Sequence, residues 1–184
     1  IKKEGGPQLA SLDKKIGALR LKAKLKSKGL EFGYHSAIVK SPDTTKWVQI
    51  DLGQAFDLQR VVLRACHDEF NNIGGGFGFP VRFKVEAALT AEFNNAIRLF
   101  DQTQGDFPNP DIAPVSFEAK AKARFLRVTA TKLARRSNDY ILALAELEVF
   151  DATGKNLAFK ARVSSPDSIE APVRWRRTNL TDGN

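Results

Sequence analysis

Three observations predict an all-β fold, a sandwich or barrel. Residues 47–53, Trp-Val-Gln-Ile-Asp-Leu-Gly, alternate strictly, with Val48, Ile50 and Leu52 on one face and Trp47, Gln49 and Asp51 on the other, the period-2 pattern of a half-buried strand. Alternating runs recur at Gln59–Ala65, Val81–Ala87, Val115–Phe117, Arg124–Thr131 and Ile141–Phe150, a density of short strands that suits a two-layer or closed sheet. The aromatic residues, 13 Phe against 2 Tyr and 2 Trp, favour core filling, since Phe carries no polar group.

The elements follow in order. Residues 1–8 read as an irregular lead with Gly5, Gly6 and Pro7. Leu9, Leu12, Ile16 and Leu19 then recur at spacings of 3, 4 and 3, while most lysines lie off that seam, so a basic amphipathic helix is expected up to a stop at Gly29. After the strand at Trp47, residues 54–57 form a short connection. Residues 66–80, with Gly74, Gly75, Gly76 and Gly78, read as one long loop of the kind that carries function. Pro108, Pro110 and Pro114 forbid a central strand in the next irregular stretch. The last strand is expected to send Ile141, Ala143, Ala145, Leu147 and Val149 inward, before a turn at Asp151–Gly154.

Charge is unevenly placed. The net +8 of the 184-residue chain comes from its ends: residues 1–28 hold nine Lys and Arg against Glu4 and Asp13, a net of +7, and residues 155–184 carry +3. The body, residues 29–154, is −2, which argues against nucleic acid as its partner. No apolar run is long enough to span a bilayer, and a membrane partner is not indicated. One cysteine, Cys66, rules out an internal disulfide and a cysteine-rich metal cage. The start at Ile1 is read as that of a processed or excised piece of something longer.

The candidate catalytic patterns fail on geometry, and the chain is not expected to be an enzyme. Cys66 and His67 are strand neighbours pointing to opposite faces, so they cannot form a nucleophile–base dyad. Glu146 and Glu148 share a strand face at about 7 Å, a glycosidase-like spacing, but such pairs are common on solvated faces. The glycine run at 74–78 leads into a strand and fits no phosphate-binding spacing.

The segment WVQIDLG, then Arg60-Val61-Val62-Leu63, the run RFLRVTAT and the closing Ala145–Phe150 stand in an order that resembles the discoidin family, also called coagulation factor 5/8 type C, over residues 47–150. The resemblance implies a jelly-roll β-sandwich of galactose-binding-like fold with ligand loops at one end, overlapping with carbohydrate-binding modules. Members begin with an Asn-Leu-Ala segment followed by Asp-Gly-Asn before the Trp strand. Here Asn156-Leu157-Ala158 and Asp182-Gly183-Asn184 come after the last strand instead. Either residues 155–184 fold back to complete the sandwich of residues 30–154, or a second module begins there; the fold-back is favoured because it covers an exposed edge. The resemblance also implies a structural Ca2+ held by Glu146 and Asp182.

Sugar recognition needs planar donors and acceptors for hydroxyls and an aromatic face for the ring. Among the end loops, His67, Asp68, Arg135, Arg136, Asn138 and Asp139 offer the former, and Tyr140 or Phe77 the latter. The competing reading has Phe77 and Phe79 plugging the sandwich while Arg136 and Asp139 pair across a turn. The expected function is a non-catalytic carbohydrate-binding module from a larger exported bacterial protein, periplasmic, cell-surface or secreted. One alternative is a domain that docks neighbouring domains through the helix and tail, with Trp175 as anchor. A second is polyanion or nucleic-acid binding by the basic ends.

Overall fold

The computed structural model describes residues 28–184 together with Lys15, so the amphipathic helix expected before Gly29 lies outside the described residues. The strands are β1 (Tyr34–His35), β2 (Lys46–Arg64), β3 (Cys66–Asp68), β4 (Gly74–Phe77), β5 (Arg82–Ala88), β6 (Ile97–Gln102), β7 (Val115–Lys132), β8 (Ala134–Arg135), β9 (Tyr140–Ile141), β10 (Ala143–Leu144), β11 (Glu146–Phe150) and β12 (Arg162–Ser164). Single 3-10 turns stand at Lys28–Glu31, Phe70–Asn72 and Arg177–Thr181. The fold is an all-β sandwich of antiparallel strands.

A two-stranded ribbon of β2 and β7 organises it. The sequence suggests two short strands on each side of residues 54–57 and of residues 118–123, yet each pair is one continuous strand, and the two long strands stay paired from Lys46↔Ala130 to Leu63↔Val115. The ribbon bends instead of breaking. Gly53, at φ 86°, sits in a register shift between Asp51 and Phe56, and a second shift follows at Leu58–Arg60. Each bulge turns the strand and resets which residues face inward. The first half of β2 therefore buries Val48 and Ile50, the second Leu58, Val61 and Leu63, in one core with Val85, Ala87, Leu126, Val128, Leu147 and Val149. The first half of the ribbon carries β5 and β6, the second carries β11, and the two halves face each other.

Five of the phenylalanines, Phe79, Phe83, Phe100, Phe107 and Phe117, make a chain of ring contacts with centroids 5.0–6.2 Å apart at one side of this core. Such pairs add to area burial through edge-to-face and offset geometry.

Residues 66–80 are not one irregular loop. β3 and β4 pair as a hairpin, Cys66↔Phe77 to Asp68↔Gly74, because glycines at φ 74° and 77° let the chain reverse and hug its neighbours. A second correction concerns the last strand. A bend at Ala145 shifts the pattern's phase, so Leu142 and Leu144 join Leu147 and Val149 in the main core. Ile141, Ala143 and Ala145 enter a second, smaller core with Cys66, Phe77 and Trp175. Both faces of this segment are covered, which strict alternation does not anticipate.

The tail lies on the sandwich. β12 pairs with the outer edge of β2, Arg162↔Asp51 to Ser164↔Gln49, while Ala158 and Leu180 enter the main core and Trp175 the second. Trp175 is 8% exposed, stacked on Phe77 with centroids 5.8 Å apart and edge-on to His35. Its bulk is spent inside the protein, which removes it as an anchor for a neighbouring domain.

Gly33 shows how tightly the second core is built. It bridges to Trp175, and a Cβ there would collide with the Leu144 carbonyl oxygen and stand 2.9 Å from Ala145 Cα, both backbone atoms that cannot swing aside. Gly33→Ala is expected to cost about 3 kcal/mol. Urea denaturation checks this; an unchanged midpoint would mean that β1 and β10 can part freely.

Candidate functional site

Three loops meet at one end of the sandwich: the β3–β4 turn, the β8–β9 turn and the tail segment before Trp175. The first two are tied by Asn71 Nδ2, which donates to the Arg136 carbonyl oxygen at 3.2 Å, and by the Arg136 guanidinium lying 4.6 Å from the centre of the Phe70 ring. Asn71 and Asn72 both take left-handed backbone conformations, φ 53° and 55°, which asparagine tolerates better than most residues. The tail is tied to the first loop by Arg174. Its Nη2 lies 3.1 Å from Asp68 Oδ2 and donates to the His67 carbonyl oxygen at 3.4 Å, while its Nε donates to the Glu31 carbonyl oxygen at 2.7 Å.

Each predicted residue can now be placed. His67 and Asp68 line a cleft of about 430 Å³ together with Phe32, Glu69, Val173 and Arg174. His67 stays on the rim, with Nε2 3.2 Å from Glu69 Oε1. Asp68 is less available, since it accepts both Arg174 and the Phe70 amide. Arg136 and Asp139 form a two-bond pair at 2.9 and 2.8 Å, and that guanidinium holds the Asp139 carboxyl below its usual range. Arg135 and Asn138 are exposed at the turn, where Arg135 Nε donates to the Ser137 carbonyl oxygen at 2.6 Å. Tyr140 is half-buried and bonds through its backbone to Val39.

Phe77 is a correction. At 2% exposure it presents no face to a ligand, because its strand neighbour Cys66 and the ring of Trp175 close over it. The aromatic ring that the loops do expose is Phe70. Sequence reasoning gave no site role to His35, Phe32, Val173 or Arg174. The pair Tyr34-His35 and the basic run around Trp175 were visible, but only the fold brings Arg174 to the His67 carbonyl and sets His35 against Trp175 and Phe77. His35 is 3% exposed in the second core, and its Nδ1 lies 2.6 Å from the Ser36 carbonyl oxygen, so the neutral ring donates there. Burial, helped by the nearby Arg136 charge, pulls its pKa below the ordinary value.

Nucleophilic chemistry at Cys66 is closed off. The thiol is wholly buried, and burial pushes its pKa far up, so no thiolate is available. Glu146 and Glu148 do not act as a pair on an open face either. Glu148 is bound by Arg64 Nε at 2.8 Å, and Glu146 is 2% exposed.

Glu146 meets the tail. Its Oε1 accepts the backbone amides of Gly183 and Asn184 at 3.0 and 3.1 Å, while its Oε2 is buried with no hydrogen-bond partner. Burial, with the Asp182 carboxyl beside it, pushes the Glu146 pKa up to about 9. An orphaned carboxylate oxygen next to a second carboxylate is hard-oxygen chemistry that suits Ca2+. Among the described residues no group of three or more His, Cys, Asp or Glu side chains converges, so further ligands there would be carbonyl oxygens or water.

Solved carbohydrate-binding modules resemble this chain. Module CBM32-3 from a family 31 glycoside hydrolase of Clostridium perfringens has a TM-score of 0.49 at 20% identity, over 65% of this chain and 74% of that one. The family 32 module of NanJ from C. perfringens, solved in complex with galactose, has a TM-score of 0.48 at 15% identity, over 65% and 77%. Chitosan-binding module 1 of a chitosanase/glucanase from Paenibacillus sp. IK-5 has 0.45 at 16% identity, over 62% and 74%. No protein-family model and no curated protein matches the sequence.

Proposed function

We propose that this chain is a non-catalytic carbohydrate-binding module of a larger exported bacterial protein, and that it takes its ligand on the three-loop end of the sandwich. The observation that carries this reading is that Asn71 and the Arg136–Phe70 contact hold the turn bearing His67, Glu69 and the exposed Phe70 ring beside the turn bearing the exposed Arg135 and Asn138, while Arg174 ties the tail to the first of them. Fixed planar donors and acceptors beside an apolar face suit the vicinal hydroxyls and the C–H face of a sugar ring. The discoidin resemblance, which implies ligand loops at one end of the sandwich, supports a site borne on loops. A structural Ca2+ at Glu146 and Asp182 belongs to this proposal, as a clip between β11 and the tail.

The reading is tested by a glycan array followed by calorimetry on the sugars retained. His67→Ala and Asn138→Ala should each weaken binding about tenfold, the worth of one good hydrogen bond, while the melting temperature stays put. An array on which no glycan is retained would overturn the reading. It would favour instead a spacer that docks on neighbouring domains.

A further inference from the structure

A second cleft, of about 400 Å³, lies beside the first, and the two share Phe32 and Val173 in their walls. We infer that the pair forms a two-subsite groove for a neutral oligosaccharide, with Phe32 and Val173 as the apolar divide on which adjoining sugar rings pack and Arg176 as the donor of the second subsite. This rests on the carbohydrate reading above and extends it to a site built by the tail.

Three features carry it. Val173 is 69% exposed, the most exposed of the large apolar side chains among the described residues, yet it sits on a segment held from three sides. Asn179 Nδ2 donates to the carbonyl oxygens of both Val173 and Arg174 at 3.0 and 2.9 Å, Trp175 is locked in the second core, and Arg174 is clamped to Glu31 and Asp68. A branched apolar group already held in place beside Phe32 offers a ring a preformed apolar surface with little left to order on binding.

Arg176 lines the second cleft, and its Nε is buried with no acceptor. Nε is closed to solvent and ligand alike, but Arg176 as a whole is only half-buried, so the remaining N–H groups of its planar guanidinium are the donors that can meet a ligand hydroxyl or ring oxygen in the cleft. Asp182 lines the same cleft, but its carboxyl lies beside Glu146 and accepts Asn184 through Oδ1, so Arg176 is the polar group left to the second subsite.

Neither cleft is basic: the first sets Arg174 against Glu31, Asp68 and Glu69, and the second holds Arg176 and Asp182. The excess of carboxylates in the first cleft repels a polyanion, which leaves a neutral ligand rich in hydroxyls. Each volume also lies within the roughly 300–1,000 Å³ usual for small-molecule sites, so a chain of at least two sugars is needed to use both.

The test is calorimetry on the intact chain with galactose against β-1,4-galactotriose, and with N-acetylglucosamine against tri-N-acetylchitotriose. One trisaccharide should bind at least about tenfold tighter than its monosaccharide. Arg176→Met, with an unchanged melting temperature, should bring that ratio close to one. Equal affinities for both monosaccharides and their trisaccharides, or a ratio that Arg176→Met does not change, would overturn the two-subsite groove and leave the single-site reading standing. Binding of none of the four sugars, together with a blank glycan array, would overturn the carbohydrate reading itself.

Discussion

Removing residues 155–184 abolishes the cooperative unfolding transition of the domain. The truncation takes Leu180 and Ala158 out of the main core and Trp175 out of the second, and it strips β12 from the edge of β2. Losing one large buried side chain of these types costs about 2–5 kcal/mol, so losing them together approaches the whole stability of a typical domain, about 5–15 kcal/mol. A charge is stranded as well. Lys46 is buried and paired with Asp167, whose other oxygen accepts the Ala37 amide at 2.7 Å. Breaking such a pair from one side costs about 3 kcal/mol, because the remaining ion has no partner. Asp167→Ala is the finer probe, and Lys46→Met in that background should recover part of the loss. Thermal scans read both results. A truncated chain that melts sharply at the temperature of the intact one would show that the tail merely rests on a finished sandwich.

Stability falls as pH rises from about 4.5 to about 9, and Glu146→Gln removes most of that slope. The folded protein keeps the Glu146 proton up to about pH 9, whereas the unfolded chain releases it near the ordinary carboxyl value of 4.5. Between those values the folded state binds more protons than the unfolded one. Alkali therefore draws the equilibrium towards unfolding, by up to about 1.4 kcal/mol per pH unit. Below pH 4.5 this contribution is fully present; above pH 9 it is gone.

His35 works in the opposite sense. Its lowered pKa means that the unfolded ring takes up a proton first, so stability is lost as pH falls below about 6.5. The comparison with Glu146→Gln isolates the carboxyl from this term, since Gln keeps the shape and the acceptor for the Gly183 and Asn184 amides but cannot ionise. Melting curves from pH 5 to 9 for both proteins check the result. Parallel curves would show that Glu146 is ionised in the fold. If Glu146 and Asp182 hold Ca2+ as proposed, millimolar CaCl2 at pH 8 restores the lost stability in the parent and does nothing for Glu146→Gln. Absence of any calcium effect on the parent would remove the metal from the proposal while leaving the titration intact.

Local chemistry made much of this protein legible before its structure. Val48 and Ile50, Val61 and Leu63, Val85 and Ala87, and Leu126 and Val128 are core residues because strict alternation on a strand leaves one face to bury, and that pattern needs no knowledge of partners. The prolines between Phe107 and Ala113 do keep that stretch out of the sheet. The rule failed where strands bend. Nothing in residues 54–57 announces that β2 continues through them, because the hydrogen bonds that carry it come from β7, more than sixty residues away. The phase change at Ala145 was hidden for a like reason: it depends on Trp175 and Phe77 closing the far side.

The candidate site divides along the same line. His67, Asp68, Arg135, Arg136, Asn138 and Asp139 could be named from residue type and loop position alone, and the two loops do lie side by side. Phe77 was misjudged because exposure is a property of neighbours. Phe32, Val173, Arg174 and Arg176 could not be named, since their relevance depends on the tail returning to the end of the sandwich. What residue order sets here is strand character, the distribution of charge and the exclusion of a Cys66–His67 dyad. Which residues share a cleft, which carboxylate is buried and where residues 155–184 come to rest required the folded chain. The physical reason is that strand propensity acts over a few neighbouring residues, whereas desolvation and contact depend on segments that chain distance keeps apart until the sandwich closes.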